Sequence, residues 1–348
     1  MRAGQAAQAL TSLDAPTVEA DRTSKAWGAL QLYLLHLNGE YEQANRVLDS
    51  MVGMDLSQQL CMDNCPTEAE IMARWDSEAE GVSILCTTFN HARFIGMALA
   101  SFFSQVSTHP FEVIVRDDAS TDGTTAIVSQ WQARYPQLLK LELLSQNTYC
   151  LGTAPMPAAL EKAHYPLVAM CEGDDFWVDP EKMQCQAQLL SSNPSWAAVF
   201  HNHFELDEGD GTLKLGRSLR TRGFFDRSDL LNVHIVLWVH TVMFRKSKLQ
   251  LPLYSHRDGI LGDQVLTSML GMGGAVYYQG DLVGSVARRN LLSTYTPLVS
   301  MDKQMLRIKT KTFLARQHLA MGNKNSAAKL QAWSDAALKK IQATAVVV

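Results

Sequence analysis

Carboxylates stand in tight groups at the ends of apolar runs in this sequence. Leu167 to Cys171 runs directly into Glu172-Gly173-Asp174-Asp175, followed by Phe176 and Trp177. Upstream, Phe111 to Val115 ends in Arg116-Asp117-Asp118-Ala119-Ser120-Thr121-Asp122, and Asp263 opens another apolar run, "GILGDQVLTSMLG" (259–271). Carboxylates held a few ångströms apart oppose one another's ionisation unless a cation or several donors share the site. Such a group suits a hard divalent cation, Mg2+ or Mn2+, which takes one or two carboxylates and completes its shell with phosphate oxygens and water. No Walker loop and no Gly-rich dinucleotide fingerprint accompany the carboxylates, so a nucleotide diphosphate carried on its metal fits them better than a glycine cradle. Taken alone, Asp-Asp-x-Ser-x-Asp is equally a turn that caps the next helix. Joined to the second acidic group, it reads as a site.

Short β-rich runs alternate with helical segments between residues 79 and 295. Strands are predicted at 82–87, 111–115, 139–144 and 167–171, with helices at 92–106, 122–135 and 157–163 between them. That alternation predicts a parallel, doubly wound sheet, whose ligands sit beyond the carboxyl ends of the strands. Thr87-Thr88-Phe89-Asn90, the Asp117 group and the Glu172 group then share one rim.

The chain has 348 residues, 47% apolar and with a formal net charge of −4, ample for a globular core. Residues 1–80 carry an excess of acidic side chains and residues 301–348 an excess of basic ones. Solvated helix faces, packing of the two ends on each other, and contact of the basic end with an anionic membrane or acceptor all fit that contrast. No run reaches the ~18 apolar residues of a membrane span, and Met1 to Gln5 does not lead into a secretory apolar segment. A cytoplasmic protein is expected, with peripheral contact at the inner face of the membrane left open. The six cysteines sit mostly in apolar runs and read as reduced, structural residues; Cys61-x-x-x-Cys65 lacks a second pair at zinc spacing.

Three stretches carry a family resemblance: "VSILCTTFNHARFIGMALASFFSQ" (82–105), "FEVIVRDDASTDGT" (111–124) and "EGDDFWVDPEKMQCQAQLLSSNP" (172–194). Their order and spacing resemble the nucleotide-binding half of glycosyltransferase family 2, inverting enzymes with the GT-A fold, and the third resembles a bacterial branch acting on surface glycans. The resemblance implies an α/β, Rossmann-like, mostly parallel sheet over residues 79–295. Helical extensions are expected at 1–78 and 296–348. "HLNGEYEQA" (36–44) resembles one tetratricopeptide-type unit, faintly echoed by "HLAMGNKNSAA" (318–328).

The resemblance also implies roles. Thr87, Phe89, Asp117 and Asp118 would meet the donor nucleotide, and Asp174 the ribose or the metal. Asp175 would ligate the Mn2+ or Mg2+ that bridges to the diphosphate. Glu172 stands where many relatives carry Asp. Asp263 resembles the Asp of the family's Glu-Asp motif, with Gly262 in place of the Glu, and is the expected general base, although an Asp at a helix start is also an ordinary N-cap. Relatives end the strand matching 275–290 in Tyr-Arg-x-His; here the Tyr and His are missing and Arg288 and Arg289 remain, suited to diphosphate oxygens or to salt bridges. Trp177, Trp238 and His240 are the expected acceptor-side residues, although a Trp in an apolar run is more often a core residue. His201 and His203 alternate on a predicted strand and share one face.

The function implied is metal-assisted transfer of a sugar from a nucleotide-diphosphate donor to a hydroxyl of a glycan, lipid-linked sugar or protein; nucleic acid is not an expected partner. A non-catalytic nucleotide-binding or scaffold protein, recruiting partners through its helical ends, is the alternative. A sugar-1-phosphate nucleotidyltransferase would need a Gly-x-Gly-Thr-Arg loop after the first strand, where this chain has Thr87-Thr88-Phe89-Asn90.

Overall fold

The computed structural model describes residues 61–216, 223–252, 254–289 and 300–345. The repeat-like unit at 36–44 lies outside the described residues. In chain order the helices are α1 (Glu68–Met72), α2 (Ile95–Phe103), α3 (Thr124–Arg134), α4 (Thr148–Leu151), α5 (Pro155–Glu161), α6 (Lys182–Ser192), α7 (Arg227–Leu231), α8 (Gly262–Gly273), α9 (Ser300–Ala320) and α10 (Lys324–Ala345). The strands are β1 (Val82–Thr88), β2 (Phe111–Asp117), β3 (Leu139–Leu143), β4 (Leu167–Met170), β5 (Phe176–Trp177), β6 (Trp196–Asp207), β7 (Leu213–Leu215), β8 (Gly223–Phe224), β9 (Met243–Arg245) and β10 (Ala275–Arg289).

They form one sheet in the order β3-β2-β1-β4-β9-β6-β10-β5, with β7 on β6 and β8 on β10. β1, β2, β3 and β4 pair in parallel, as do β6 and β10. β9 runs antiparallel between β4 and β6, so the sheet is mixed rather than uniformly parallel. Three residues of "VMFR" give no strand signal of their own; both neighbours supply their backbone partners.

β1 and β2 are buried along almost their whole length because helices cover both faces of the sheet, which is why they read as continuous apolar runs rather than alternating ones. α2 buries Ile95, Ala98, Leu99, Phe102 and Phe103, and the Phe103 ring stacks on Tyr135 at 3.8 Å. Each fully buried large side chain contributes roughly 1.5–3 kcal/mol. The segment ahead of β1 is tied to the same core: Glu68 Oε1 accepts from the Gln137 and Leu138 amides, and Arg134 donates to the Cys65 carbonyl. All six cysteines are free thiols.

Two loops at the carboxyl ends of β1 and β2 are stitched together. The Asn90 amide donates to Ser120 Oγ and Asn90 Oδ1 accepts from the Thr121 amide, both at 2.8 Å. Asn90 and Ala119 hold positive φ angles of 56° and 64°, a conformation that the crossed hydrogen bonds maintain.

Close backbone approach fixes the far end of α8. A Cβ added at Gly273 would lie 1.9 Å from the Lys248 carbonyl oxygen. Gly273→Ala is therefore expected to lower stability by about 1–3 kcal/mol in urea unfolding; an unchanged midpoint would show that this contact yields freely.

Candidate active site

The carboxyl ends of β1 and β4, the start of α8 and the end of β10 surround one cleft of about 650 Å³. Thr87, Glu172, Asp174 and Asp175 line it together with Trp238, His240, Asp263 and Arg288. The turn carrying the carboxylates can press against β1 because residue 173 is glycine. Its amide donates to the Thr87 carbonyl at 2.9 Å, and a Cβ there would meet Thr88 Oγ1 at 2.7 Å.

Asp175 is buried, with Oδ1 accepting from the Arg288 amide at 2.8 Å and Oδ2 lying 3.1 Å from His240 Nδ1. Burial, then the neighbouring Asp174, push its pKa well above the usual carboxylate range. Glu172 is shifted the same way by burial among protein atoms, then by Asp174 and Asp175; its side chain is reached by water, which tempers that rise. His240 is pushed down to about 3, chiefly by burial, so its ring is neutral at pH 7. A neutral ring beside Asp175 donates from Nδ1 and leaves Nε2, which has no partner, as an acceptor.

Asp263 is the second residue of α8. The cap position is Leu261, which offers no side-chain cap, so the N-cap reading of Asp263 does not hold. Its Oδ1 accepts from the Gln264 amide at 2.8 Å, and burial raises its pKa. A carboxylate facing a cleft with a raised pKa is suited to accept a proton.

Several other expected residues serve different purposes. Asp117 accepts from Ser120 and Thr125, bracing its own loop, and does not line the cleft. Asp118 accepts from the Thr148 amide (2.8 Å), Thr148 Oγ1 (2.6 Å) and the Tyr149 amide (2.9 Å), so it holds α4 rather than presenting an open acceptor. Through α4 it places Tyr149 on the cleft wall. Phe89 is exposed outside the cleft lining, and Arg289 pairs with Glu205. Arg288 lines the cleft with its guanidinium engaged by Glu208 Oε1 and the Asp174 carbonyl, both at 2.8 Å.

Trp177 is a core residue, not an acceptor-side one. It is 1% exposed, lies edge-on to Phe102, carries Lys182 Nζ over its ring at 3.9 Å, and donates to the His240 carbonyl. Trp238 is 45% exposed at the cleft, and its ring lies 5.6 Å from that of His203. Tyr149, Tyr254, Gln264 and Arg307 also line the cleft and were missed from sequence. Tyr254 and Arg307 reach it from a coil and a C-terminal helix by tertiary packing, which leaves no local signal.

Among the described residues, no three His, Cys, Asp or Glu side chains are grouped to hold a metal ion by themselves. The donor set present is Asp174 and Asp175, each buried Asp175 oxygen retaining a second lone pair beyond its existing contact. Two carboxylates at the cleft, fewer than a hard divalent cation needs to fill its shell, fit a cation that arrives with its own phosphate ligands.

Residues 83–250 match the family model for glycosyl transferase family 2. That stretch is just under half of the chain, and over it the chain is similar to glycosyl transferase family 2. An uncharacterised protein of Mycobacterium tuberculosis (strain ATCC 25618 / H37Rv) is 39% identical over 121 residues, 34% of this chain and 34% of its own length. An uncharacterised glycosyltransferase of Nostoc sp. is 27% identical over 152 residues, 44% of each chain. The chain thus spans about a third of the mycobacterial relative's length and less than half of the Nostoc one's. S. aureus TarS 1-349, solved in complex with UDP-GlcNAc, aligns with a TM-score of 0.51 at 18% identity over 69% of this chain and 73% of that one. That likeness is one of fold, and the fold is GT-A. The family 2 stretch holds Thr87, Glu172, Asp174, Asp175, Trp238 and His240; Asp263, Arg288 and Arg307 lie beyond it.

The two tryptophans separate by stability. Trp177→Ala is expected to cost about 3–5 kcal/mol in chemical denaturation, whereas Trp238→Ala stays within about 0.5 kcal/mol of the parent. Equal losses would contradict the assignment of Trp177 to the core and Trp238 to the cleft.

Proposed function

We propose that this chain is an inverting glycosyltransferase that moves a sugar from a nucleotide-diphosphate donor to a hydroxyl of a glycan, lipid-linked sugar or protein. The observation that carries this reading is the single cleft in which Asp174 and Asp175, Asp263, and the pair Trp238 and His240 face common space. TarS is described with UDP and with UDP-GlcNAc, which makes uridine diphosphate sugars the first donors to try.

Asp175, with Asp174, would hold a Mn2+ or Mg2+ ion. Such an ion, when bound, offsets the negative charge of the leaving diphosphate. Arg288 keeps the carboxylate turn in place through the Asp174 carbonyl and its own amide. Trp238 offers an exposed ring for the apolar face of the acceptor sugar, and His240 Nε2 a hydrogen-bond acceptor beside it. In the transfer, the acceptor oxygen bonds to the anomeric carbon, the bond from that carbon to the diphosphate oxygen breaks, and the acceptor's proton passes to Asp263. One displacement inverts the configuration. At the membrane, no helix among the described residues is long and apolar enough to cross a bilayer; contact of the basic C-terminal end with a membrane-held acceptor stays part of this proposal.

Because burial raises the Asp263 pKa, the acid limb of kcat/KM should lie above the usual carboxylate value of 3.8, with activity falling as pH drops through the raised pKa and the base gains its proton. Asp263→Asn is expected to lower turnover about 10²–10⁴-fold with no loss of folding stability, since it removes a charge that burial opposes. Asp175→Asn should abolish the thermal stabilisation given by Mn2+ together with UDP. Wild-type turnover in both variants, measured over a panel of UDP-, GDP- and dTDP-sugars, would overturn the reading.

A further inference from the structure

One wall of the cleft comes from beyond the family 2 stretch. Arg307, on α9, lines the cleft with Asp263. One turn along, Thr310 is fully buried, and its Oγ1 accepts from the Leu261 amide at 2.9 Å while donating to the Leu306 carbonyl. Leu261 is the cap residue of α8, so its amide is one of the N-terminal groups that a helix leaves unsatisfied. Thr310 supplies from another helix the acceptor that the local sequence lacks. Lys311, the next residue, donates to the Asn232 carbonyl at 2.9 Å, just ahead of the segment that runs to Trp238 and His240. Gly259 packs as closely on α9: a Cβ there would lie 3.0 Å from Leu306 Cδ2.

We propose that α9 is part of the reaction apparatus, with Thr310 acting as a positioning residue for Asp263 through the Leu261 amide and Arg307 facing Asp263 with a guanidinium charge. The proposal rests on the glycosyltransferase reading with Asp263 as base. The groups that act on Asp263 divide clearly. Burial opposes its carboxylate, the Gln264 amide and Arg307 favour it, and its charge adds to the upward shifts that burial chiefly imposes on Glu172 and Tyr254. Arg307 is exposed, so its influence passes through solvent and weakens with salt.

The test is steady-state donor turnover by the full chain across pH, first for the parent and then for Thr310→Val, Thr310→Ser, Arg307→Gln and Arg307→Lys, with melting temperatures recorded. Thr310→Val is expected to lower kcat roughly tenfold or more while donor KM stays within about twofold, because a displaced base loses rate without losing donor binding. Thr310→Ser should recover it. Arg307→Gln should move the acid limb of kcat/KM upward by about half a pH unit at low ionic strength. Arg307→Lys should restore the limb, and about 0.5 M salt should erase the difference. Parent-like kcat in Thr310→Val together with a parent-like acid limb in Arg307→Gln would reduce α9 to a buttress and overturn the proposal. If Thr310→Val does not fold, the exposed Arg307 variants decide alone. A parent that turns over no nucleotide sugar would instead overturn the function reading itself, before any variant is compared.

Discussion

Asp175 is the residue on which the cleft depends. Its two oxygens receive the Arg288 amide and His240 Nδ1, so one buried carboxylate joins the turn after β4, the end of β10 and the segment before β9. Removing it would release three elements from one another at the point where they meet. Keeping it is unfavourable in a different way, since burial and Asp174 both oppose its charge. The neighbouring cations offer limited relief because each is engaged elsewhere. Arg288 is held by Glu208 and the Asp174 carbonyl, and Lys182 by Gln186 and the face of Trp177. Two of the nearby histidines, His203 and His240, are pushed down to about 3 by burial and add no charge at pH 7, while His91 Nε2 lies 3.9 Å from Asp174 Oδ2.

The division of the cleft follows from the sheet. Parallel strands deliver polar residues to one rim, and β1 and β4 place Thr87 and the Glu172 to Asp175 turn side by side. The antiparallel β9 then brings the preceding coil, with Trp238 and His240, across the mouth of that rim. α8 points its N-terminus at the same space, and α9 brings Arg307 to the remaining side. The cleft carboxylates Asp174, Asp175 and Asp263 therefore come from segments far apart in the chain, each held by its own scaffold.

Much of this was legible in the residues. The strands at 82–88, 111–117 and 167–170 showed as apolar runs because both faces of the sheet are covered. The EGDD turn betrayed itself as too many like charges after a buried strand. The surroundings of individual carboxylates were not legible. Asp117 and Asp118 look alike in sequence, yet one braces a loop and the other holds α4, since short acidic side chains bond whichever amides lie nearest. Trp177 sits two residues from a cleft carboxylate and still faces the core, because the extended pair Phe176–Trp177 pairs with β10. Thr310 and Arg307 were invisible for a simpler reason: a residue that acts through another helix's backbone, or from across a cleft, leaves no spacing to read.

The most direct measurement is the affinity of Mn2+ for the protein, followed by electron paramagnetic resonance with and without nucleotide. Two protein carboxylates with the remaining positions left to phosphate predict weak binding of the ion alone, tightened about tenfold or more by UDP or another nucleoside diphosphate. Tight binding without nucleotide, or no binding with any diphosphate tried, would contradict the account.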